Sequence, residues 1–234
     1  MGNRKIAVIL PVRANSERVS NKMLRPFAGS SLYEICVEKL RRVAVDMVFC
    51  DNTRVDFLVA AYEKEFFPAA EKNGLKTLLR TKESANSEID PDAYSFLEDI
   101  DHDWICLMSA CLPMLKMDTI VEFIDNLCMN SGYKHDFPGL VAVTALPRFV
   151  WDGFGGNLNI GRGNSKTMSK VFPCANAMYA FRREIYLNPP YRYWPLKEPA
   201  LFTVDDIEAF DIDTMDQFHA AEAIYERMGP KIVR

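Results

Sequence analysis

The chain has 234 residues, with 28 Lys and Arg against 32 Asp and Glu, a formal charge of −4. An apolar fraction of 49% and a charged fraction of 26% exclude a mainly disordered chain, and the length suits one large domain with an elaboration. The mildly acidic balance gives no footprint for a long polyanion, so nucleic acid is not an expected partner, although one pocket can still be basic. Ile6-Ala7-Val8-Ile9-Leu10 is a continuous apolar run stopped by Pro11, which predicts a strand covered on both faces at the centre of a parallel sheet. A polar loop runs from Val12 to Gly29. Ser31 and Glu34 then form a capping-box pattern that opens a helix carrying Leu32, Ile35, Cys36, Leu40 and Val43.

Met47-Val48-Phe49-Cys50 reads as a second strand, and Phe57, Leu58, Ala61, Tyr62 and Phe66 as the stripe of the following helix. A short strand is expected at Lys76 to Leu79, a helix around Ala93 to Leu97, and a strand at Trp104 to Met108. Ile120, Val121, Ile124 and Leu127 repeat helically, and Leu140 to Ala145 returns to strand. Between Pro147 and Pro173 glycine and asparagine crowd together, which predicts an irregular insertion, either an active-site flap or a dimerisation arm. Ala177 to Phe181 is a strand. An apolar segment, Ile207 to Ile212, leads into a last helix with Met215, Phe218, Ala221, Ile224 and Met228. This alternation predicts an α/β fold with a mainly parallel sheet and right-handed crossovers, as a single domain over 1–234.

No apolar run reaches the roughly 18 residues of a membrane span, and the polar start before a short strand is unlike a secretory signal. Cys36, Cys50 and Cys106 lie in apolar segments without C-x-x-C spacing, which fits reduced thiols. The expected location is the cytoplasm, with no membrane partner. The three histidines are scattered, so neither zinc nor a histidine base is expected.

In parallel sheets ligands bind outside the carboxyl ends of the strands. The loop after the first strand reads Arg13-Ala14-Asn15-Ser16-Glu17-Arg18-Val19-Ser20-Asn21-Lys22-Met23-Leu24 and contains no glycine, so it is neither a Walker A loop nor a dinucleotide fingerprint. Its cations suit a polyphosphate gripped through charge-assisted hydrogen bonds. By itself the same loop reads equally well as a solvated basic surface. At the other end of the chain, Phe210-Asp211-Ile212-Asp213-Thr214 presents two alternate carboxylates, suited to Mg²⁺ with phosphate oxygens. Thr214 with Gln217 is also a capping box, so the aspartates alone read as helix-start residues too.

The opening pattern Arg-x-x-Ser-x-Arg-x-x-x-Lys followed by Arg25-Pro26-Phe27-Ala28-Gly29 resembles the cytidylyltransferases that activate sialic acids and 3-deoxy-manno-octulosonic acid (KDO). The segment 170–181 resembles the Pro-Asn-Gly-x-x-Tyr strand of the acylneuraminate branch, and 210–214 its Asp-Ile-Asp-Thr motif. The resemblance implies a three-layer αβα, Rossmann-like nucleotidyltransferase fold of the GT-A-like kind. It also implies CTP as nucleotide, Mg²⁺ as cofactor, a small acidic acceptor and a homodimer. Carried over by position, Arg13, Ser16, Arg18, Lys22, Arg80 and Ser109 would bind the nucleotide, with Arg13 and Lys22 catalytic. Lys170 and Asn176 would bind the acceptor, and Asp211 and Asp213 the metal. Arg80 also reads as a solvent-facing strand end, and Asn176 as a backbone-satisfying residue.

Several positions depart from the family pattern. Ser109 stands where acylneuraminate enzymes have glutamine, their arginine is absent unless Lys116 replaces it, and the aspartate of KDO enzymes in this region is missing. Glu17 replaces a usual lysine, Met23 an asparagine and Ala177 a glycine. A phosphonate or other non-sugar acceptor, a GT-A glycosyltransferase and a non-catalytic nucleotide binder are the rival readings.

Overall fold

A computed structural model describes residues 4–46, 53–87, 92–133, 137–159, 169–187 and 198–232. The first strand, β1 (Arg4–Pro11), has its apolar centre buried on both faces. Pro26–Phe27 (β2) and Ser30–Ser31 (β3) form a small ribbon leading into α1 (Leu32–Asp46). The predicted capping box is formed: the Ser31 hydroxyl accepts from the Glu34 amide at 3.2 Å and donates to its carboxylate.

The next element differs from expectation. Residues 53–61 are a strand, β4 (Thr53–Ala61), where the spacing of Phe57, Leu58, Ala61, Tyr62 and Phe66 suggested a helix. Phe57, Val59 and Ala61 join one core cluster while Leu58 and Ala60 join the other, so burial on both faces erased the period-two signal. Helix begins only after this strand, as a 3₁₀ turn (Lys64–Phe66) and α2 (Phe67–Lys72). The strand expected at 47–50, with Cys50, lies outside the described residues.

Strand β5 (Lys76–Leu79), α3 (Lys82–Asn86), a 3₁₀ segment (Asp92–Asp99), β6 (Trp104–Met108), α4 (Met117–Tyr133) and β7 (Gly139–Val143) follow. Strand β8 (Cys174–Arg182), α5 (Arg183–Leu187), β9 (Ala200–Thr203) and α6 (Met215–Ile232) complete the chain. The strand order is β5-β4-β1-β6-β8-β7-β9, and among the described strands only β8 runs against the rest. Ile6, Val8 and Leu10 face a cluster shared with α1, α4 and α6, while Ala7 and Ile9 face a smaller one with Phe96, Leu97 and Tyr186. These clusters are the two interlayer cores of the αβα fold. The chain leaves β1 toward β4 on one side, and β6 returns on its other side. That makes the carboxyl ends of β1 and β6 the topological switch point.

The opposite end of the sheet carries an ion cluster with no place in the sequence reading. Asp56, only 12% exposed, accepts from Lys76 Nζ at 2.8 Å, His102 Nε2 at 3.0 Å and Arg54 Nη2 at 3.1 Å. Burial alone would raise its carboxyl, but the donors outweigh burial and hold it down at about 2. A group lowered by folding stabilises the native state above the ordinary carboxylate range, and that contribution is lost as pH falls toward 2. We expect Asp56→Asn to cost about 1 kcal/mol at pH 7 in urea denaturation, with the difference from the unaltered protein disappearing near pH 2.

Candidate active site

A cavity of about 770 Å³ opens outside the switch point. It collects residues from the loop after β1, the ends of β5, β6 and β8, and the segment before α6. Arg13, Ser16, Arg18, Lys22, Arg80, Ser109, Asn176, Asp211 and Asp213 all line it. Lys170 does not: it is an exposed residue beside the Leu146–Val171 bridge and outside the cavity lining, so the structure does not bring it to the other nine.

The basic loop is aimed by its apolar members. Val19 and Met23 are buried in the core, and the Met23 carbonyl accepts from the Tyr33 amide at 3.1 Å. Asn21 takes φ +56 to close the turn, a conformation that asparagine tolerates better than most residues. With these anchors set, Arg13, Arg18 and Lys22 face the cavity. Met23 thus packs in the core where a polar asparagine would stand in acylneuraminate enzymes.

Segment 211–213 has no regular secondary structure, but the alternation of its side chains is kept. Ile212 is fully buried, which leaves the flanking aspartates on the cavity side. The Ile212 amide donates to the Cys111 carbonyl at 3.2 Å, tying this segment to the end of β6. Thr214 caps α6 as predicted, accepting from the Gln217 amide at 3.2 Å while Gln217 Oε1 accepts from the Thr214 amide at 2.9 Å. Capping therefore occupies Thr214 and leaves the Asp213 carboxylate for other work.

The two ends of the chain meet here. Arg18 Nη2 lies 2.9 Å from Asp213 Oδ1, and Lys22 Nζ donates to the Ile212 carbonyl at 2.5 Å. Lys22 is only 9% exposed. The Asp211 carboxyl is pushed up by burial and then by Asp213, with Lys22, Asn176 and Arg18 opposing. Its Oδ1 is buried and makes no hydrogen bond among the described residues. A buried carboxylate oxygen without a donor, beside a second carboxylate, is a hard-oxygen pair suited to Mg²⁺, which commonly takes one or two carboxylates plus phosphate oxygens. The residues present fit that ion.

Arg80 is buried rather than solvent-facing. Nη2 donates to the Ser84 and Ala93 carbonyls at 2.6 and 2.8 Å, and its guanidinium stacks 5.0 Å from the Phe96 ring centre. Burial, with Arg13 as a repelling neighbour, lowers it to about 10. Two guanidiniums that disfavour each other define a place for an anion.

Strand β8 reaches the site through a bulge. Pairing with β7 passes from Val141–Tyr179 to Val143–Cys174, so three extra residues on β8 are looped out, and Asn176 adopts φ +52. The Ser109 amide donates to the Ala177 carbonyl at 2.9 Å, and the Ser109 hydroxyl accepts from the Cys111 amide at 3.2 Å. Tyr94, Cys111 and Tyr179 also line the cavity, and none was assigned a role from the sequence. Tyr179 lay within a quoted motif and Cys111 within the altered loop, whereas nothing local marks Tyr94.

A two-sided parallel-type sheet with a cation-lined cavity at its switch point defines a nucleotide-binding α/β protein. A family model described as cytidylyltransferase matches residues 7–146, which spans the basic loop, β6 and most of the core. The chain belongs to the cytidylyltransferase family and is thus a nucleotidyltransferase enzyme. No curated protein sequence matches it. Among solved structures it is similar to a CMP:2-keto-3-deoxy-manno-octonic acid synthetase complexed with CTP, at 14% identity and TM-score 0.64, covering 95% of this chain and 99% of that one. It is also similar to a 4-diphosphocytidyl-2C-methyl-D-erythritol synthase from Anaerococcus prevotii, at 12% identity and TM-score 0.63, covering 96% and 100%. A cytidylyltransferase from Leptospira borgpetersenii gives 13% identity and TM-score 0.55, covering 98% and 97%. At these identities the likeness establishes the fold. Among the described residues no helix is long and apolar enough to cross a membrane.

Proposed function

We propose that the enzyme transfers the cytidylyl group of CTP to an acidic sugar of the sialic-acid or KDO type, giving a CMP-sugar and pyrophosphate. The observation that carries this reading is the contact between the basic loop and segment 211–213 across one cavity. Arg13, Ser16 and Arg18 grip the phosphates, and Lys22 with Arg13 stabilises charge growing on the departing pyrophosphate. Arg80 backs Arg13, and Ser109 lies at the nucleotide end. The acceptor's anomeric oxygen attacks the α-phosphorus as the bond to the bridging oxygen breaks, so positioning and charge neutralisation supply most of the catalysis. Asp211 and Asp213 would hold Mg²⁺, which when bound supplies positive charge to the phosphate oxygens.

Support for a sugar acid comes from the likeness to the octonic acid synthetase. A non-sugar acceptor, a phosphonate among them, is the second reading. It draws on the altered Ser109 region and on a nearly equal likeness to the methyl-D-erythritol enzyme. Pyrophosphate release with CTP across sialic acid, KDO, polyol phosphate and phosphonate acceptors decides between them. Turnover confined to non-sugar acceptors would remove the first reading.

We also infer a homodimer docked through the irregular arm. Its described part is an ordered turn: Asp152 Oδ1 accepts from the Phe154 and Gly156 amides at 2.9 and 2.7 Å, and a Cβ on Gly156 would lie 2.7 Å from Asp152 Oδ2. This polar scaffold holds Phe149, Trp151, Phe154 and Leu158 outward, with Phe154 fully exposed. An aromatic cluster that the fold itself does not bury supports a partner surface. Residues 160–168 of this stretch lie outside the described residues. Replacing Trp151 and Phe154 together by serine is expected to convert dimer to monomer in sedimentation velocity, with the far-ultraviolet spectrum unchanged.

A further inference from the structure

The loop between β6 and α4 is fastened to the segment that carries Asp211 and Asp213 by a pair that takes no part in the chemistry proposed above. Glu208 is 2% exposed, and both of its carboxylate oxygens are taken up by one residue: Oε1 accepts from Lys116 Nζ at 2.8 Å and Oε2 from the Lys116 amide at 3.0 Å. Lys116 Nζ also donates to Asp205 Oδ2 at 3.0 Å. Lys116 is thus committed to this segment and does not line the cavity, so it does not stand in for the missing arginine of acylneuraminate enzymes. Glu208 itself sits in a turn, its amide donating to the Asp205 carbonyl at 2.9 Å. Further along, the Ile212 amide meets the Cys111 carbonyl of the same loop. The loop is braced from its other side: Lys39 of α1, 1% exposed, donates from Nζ to the Pro113 and Leu115 carbonyls at 2.5 and 2.7 Å. A buried carboxylate is tolerated only where its oxygens are paired, so the Lys116–Glu208 pair selects one arrangement of the two backbones.

We propose that Lys116 and Glu208 are positioning residues, the pair setting where the segment bearing Asp211 and Asp213 meets the cavity, with Lys39 holding the loop against it. This rests on the two aspartates holding the metal, as stated under the proposed function. The pair touches neither aspartate and acts through the backbone between Glu208 and Ile212. Releasing it leaves both ligands present but no longer preset. Ligands on a segment free to move must be ordered when the ion binds, and that ordering is subtracted from affinity.

The test uses Mn²⁺ as the probe, with its binding to the nucleotide-free full-length protein followed by the loss of the free-ion paramagnetic resonance signal, well below the melting temperature of every variant. Glu208→Gln keeps an oxygen for the Lys116 amide and buries no unpaired charge, so it is expected to fold even where Lys116→Met does not. Each should weaken Mn²⁺ binding about tenfold, the low end for groups that orient metal ligands. The double variant should be no weaker than the weaker single one, since the two residues act as one pair. Lys116→Arg, which keeps the cation and the amide, should bind Mn²⁺ as the unaltered protein does. CTP affinity measured in EDTA should stay unchanged, because Val19 and Met23 anchor the basic loop in the core independently. A pair serving stability alone would lower the melting temperature and leave Mn²⁺ affinity intact. That result, or equal losses of Mn²⁺ and CTP binding, would overturn the assignment. Asp211→Asn is the control for the underlying reading. If it binds Mn²⁺ as well as the unaltered protein, the metal site itself is wrong and the assignment falls with it. If it loses Mn²⁺ while Glu208→Gln does not, the metal site stands and only the positioning role fails.

Discussion

Asp211→Asn is expected to lower kcat by roughly a hundredfold or more while leaving the melting temperature equal or higher. The first effect follows from removing one of two carboxylates placed where the cation-lined cavity meets the start of α6. The second follows from burial. The Asp211 carboxyl is raised above its ordinary range by desolvation and by Asp213, and its Oδ1 lacks a hydrogen-bond donor among the described residues. An ionised group kept there is a cost to folding, which asparagine of nearly the same shape removes. Activity and stability should therefore move apart, a pattern expected where a site is arranged for function. Initial rates at saturating Mg²⁺, set beside a thermal melt of the same preparation, check both. An unchanged Mg²⁺-dependent rate would reject the metal assignment.

Lys22→Met should impair activity on a similar scale, with kcat down about a hundredfold to a thousandfold and KM for CTP increased. Its stability effect should have the opposite sign. Lys22 Nζ is buried, donates to the Ile212 carbonyl and lies near Asp211, so methionine leaves a carbonyl unpaired and a carboxylate without the larger of its two neighbouring cation contributions. Losses of about 1–3 kcal/mol are typical for such a buried group. The double variant Lys22→Met with Asp211→Asn should regain part of that stability, because the uncompensated charge is gone, and none of the activity. Equal KM and kcat in Lys22→Met would count decisively against the phosphate-binding role of the basic loop.

The residues of this site were named before the structure by two local patterns together with the family resemblance that gave them roles. Arg13, Ser16, Arg18 and Lys22 follow an apolar strand stopped by proline, and Asp211 and Asp213 precede a capping box. Local rules fail where a residue's role depends on distant neighbours. Phe57 to Ala61 looked helical because both faces of a central strand are buried, so no alternation remained to read. Lys170 matched a motif, yet the backbone holds it exposed beside the Leu146–Val171 bridge. Arg80, given to the nucleotide by the resemblance, also read locally as an exposed strand end, and it is buried against Ser84, Ala93 and Phe96 at the cavity wall. Strand β9 (Ala200–Thr203) was not anticipated, since only its pairing with β7 gives it order.

The amino-acid sequence by itself determined the layer architecture, the two helix caps, and the chemistry of the two charged segments at opposite ends of the chain. Those properties depend on near neighbours: hydrophobic period, hydroxyl-to-amide spacing and side-chain charge. Only the tertiary structure decided that the segments meet, with Lys22 bonded to the carbonyl of Ile212, 190 residues further on. It also decided that a bulge in β8 brings Asn176 to the cavity that Asp211 lines, and that Tyr94 reaches the same cavity. Strand order and register bring these groups together, and both are set by which buried faces pack best across the whole sheet, a quantity no short stretch of sequence contains.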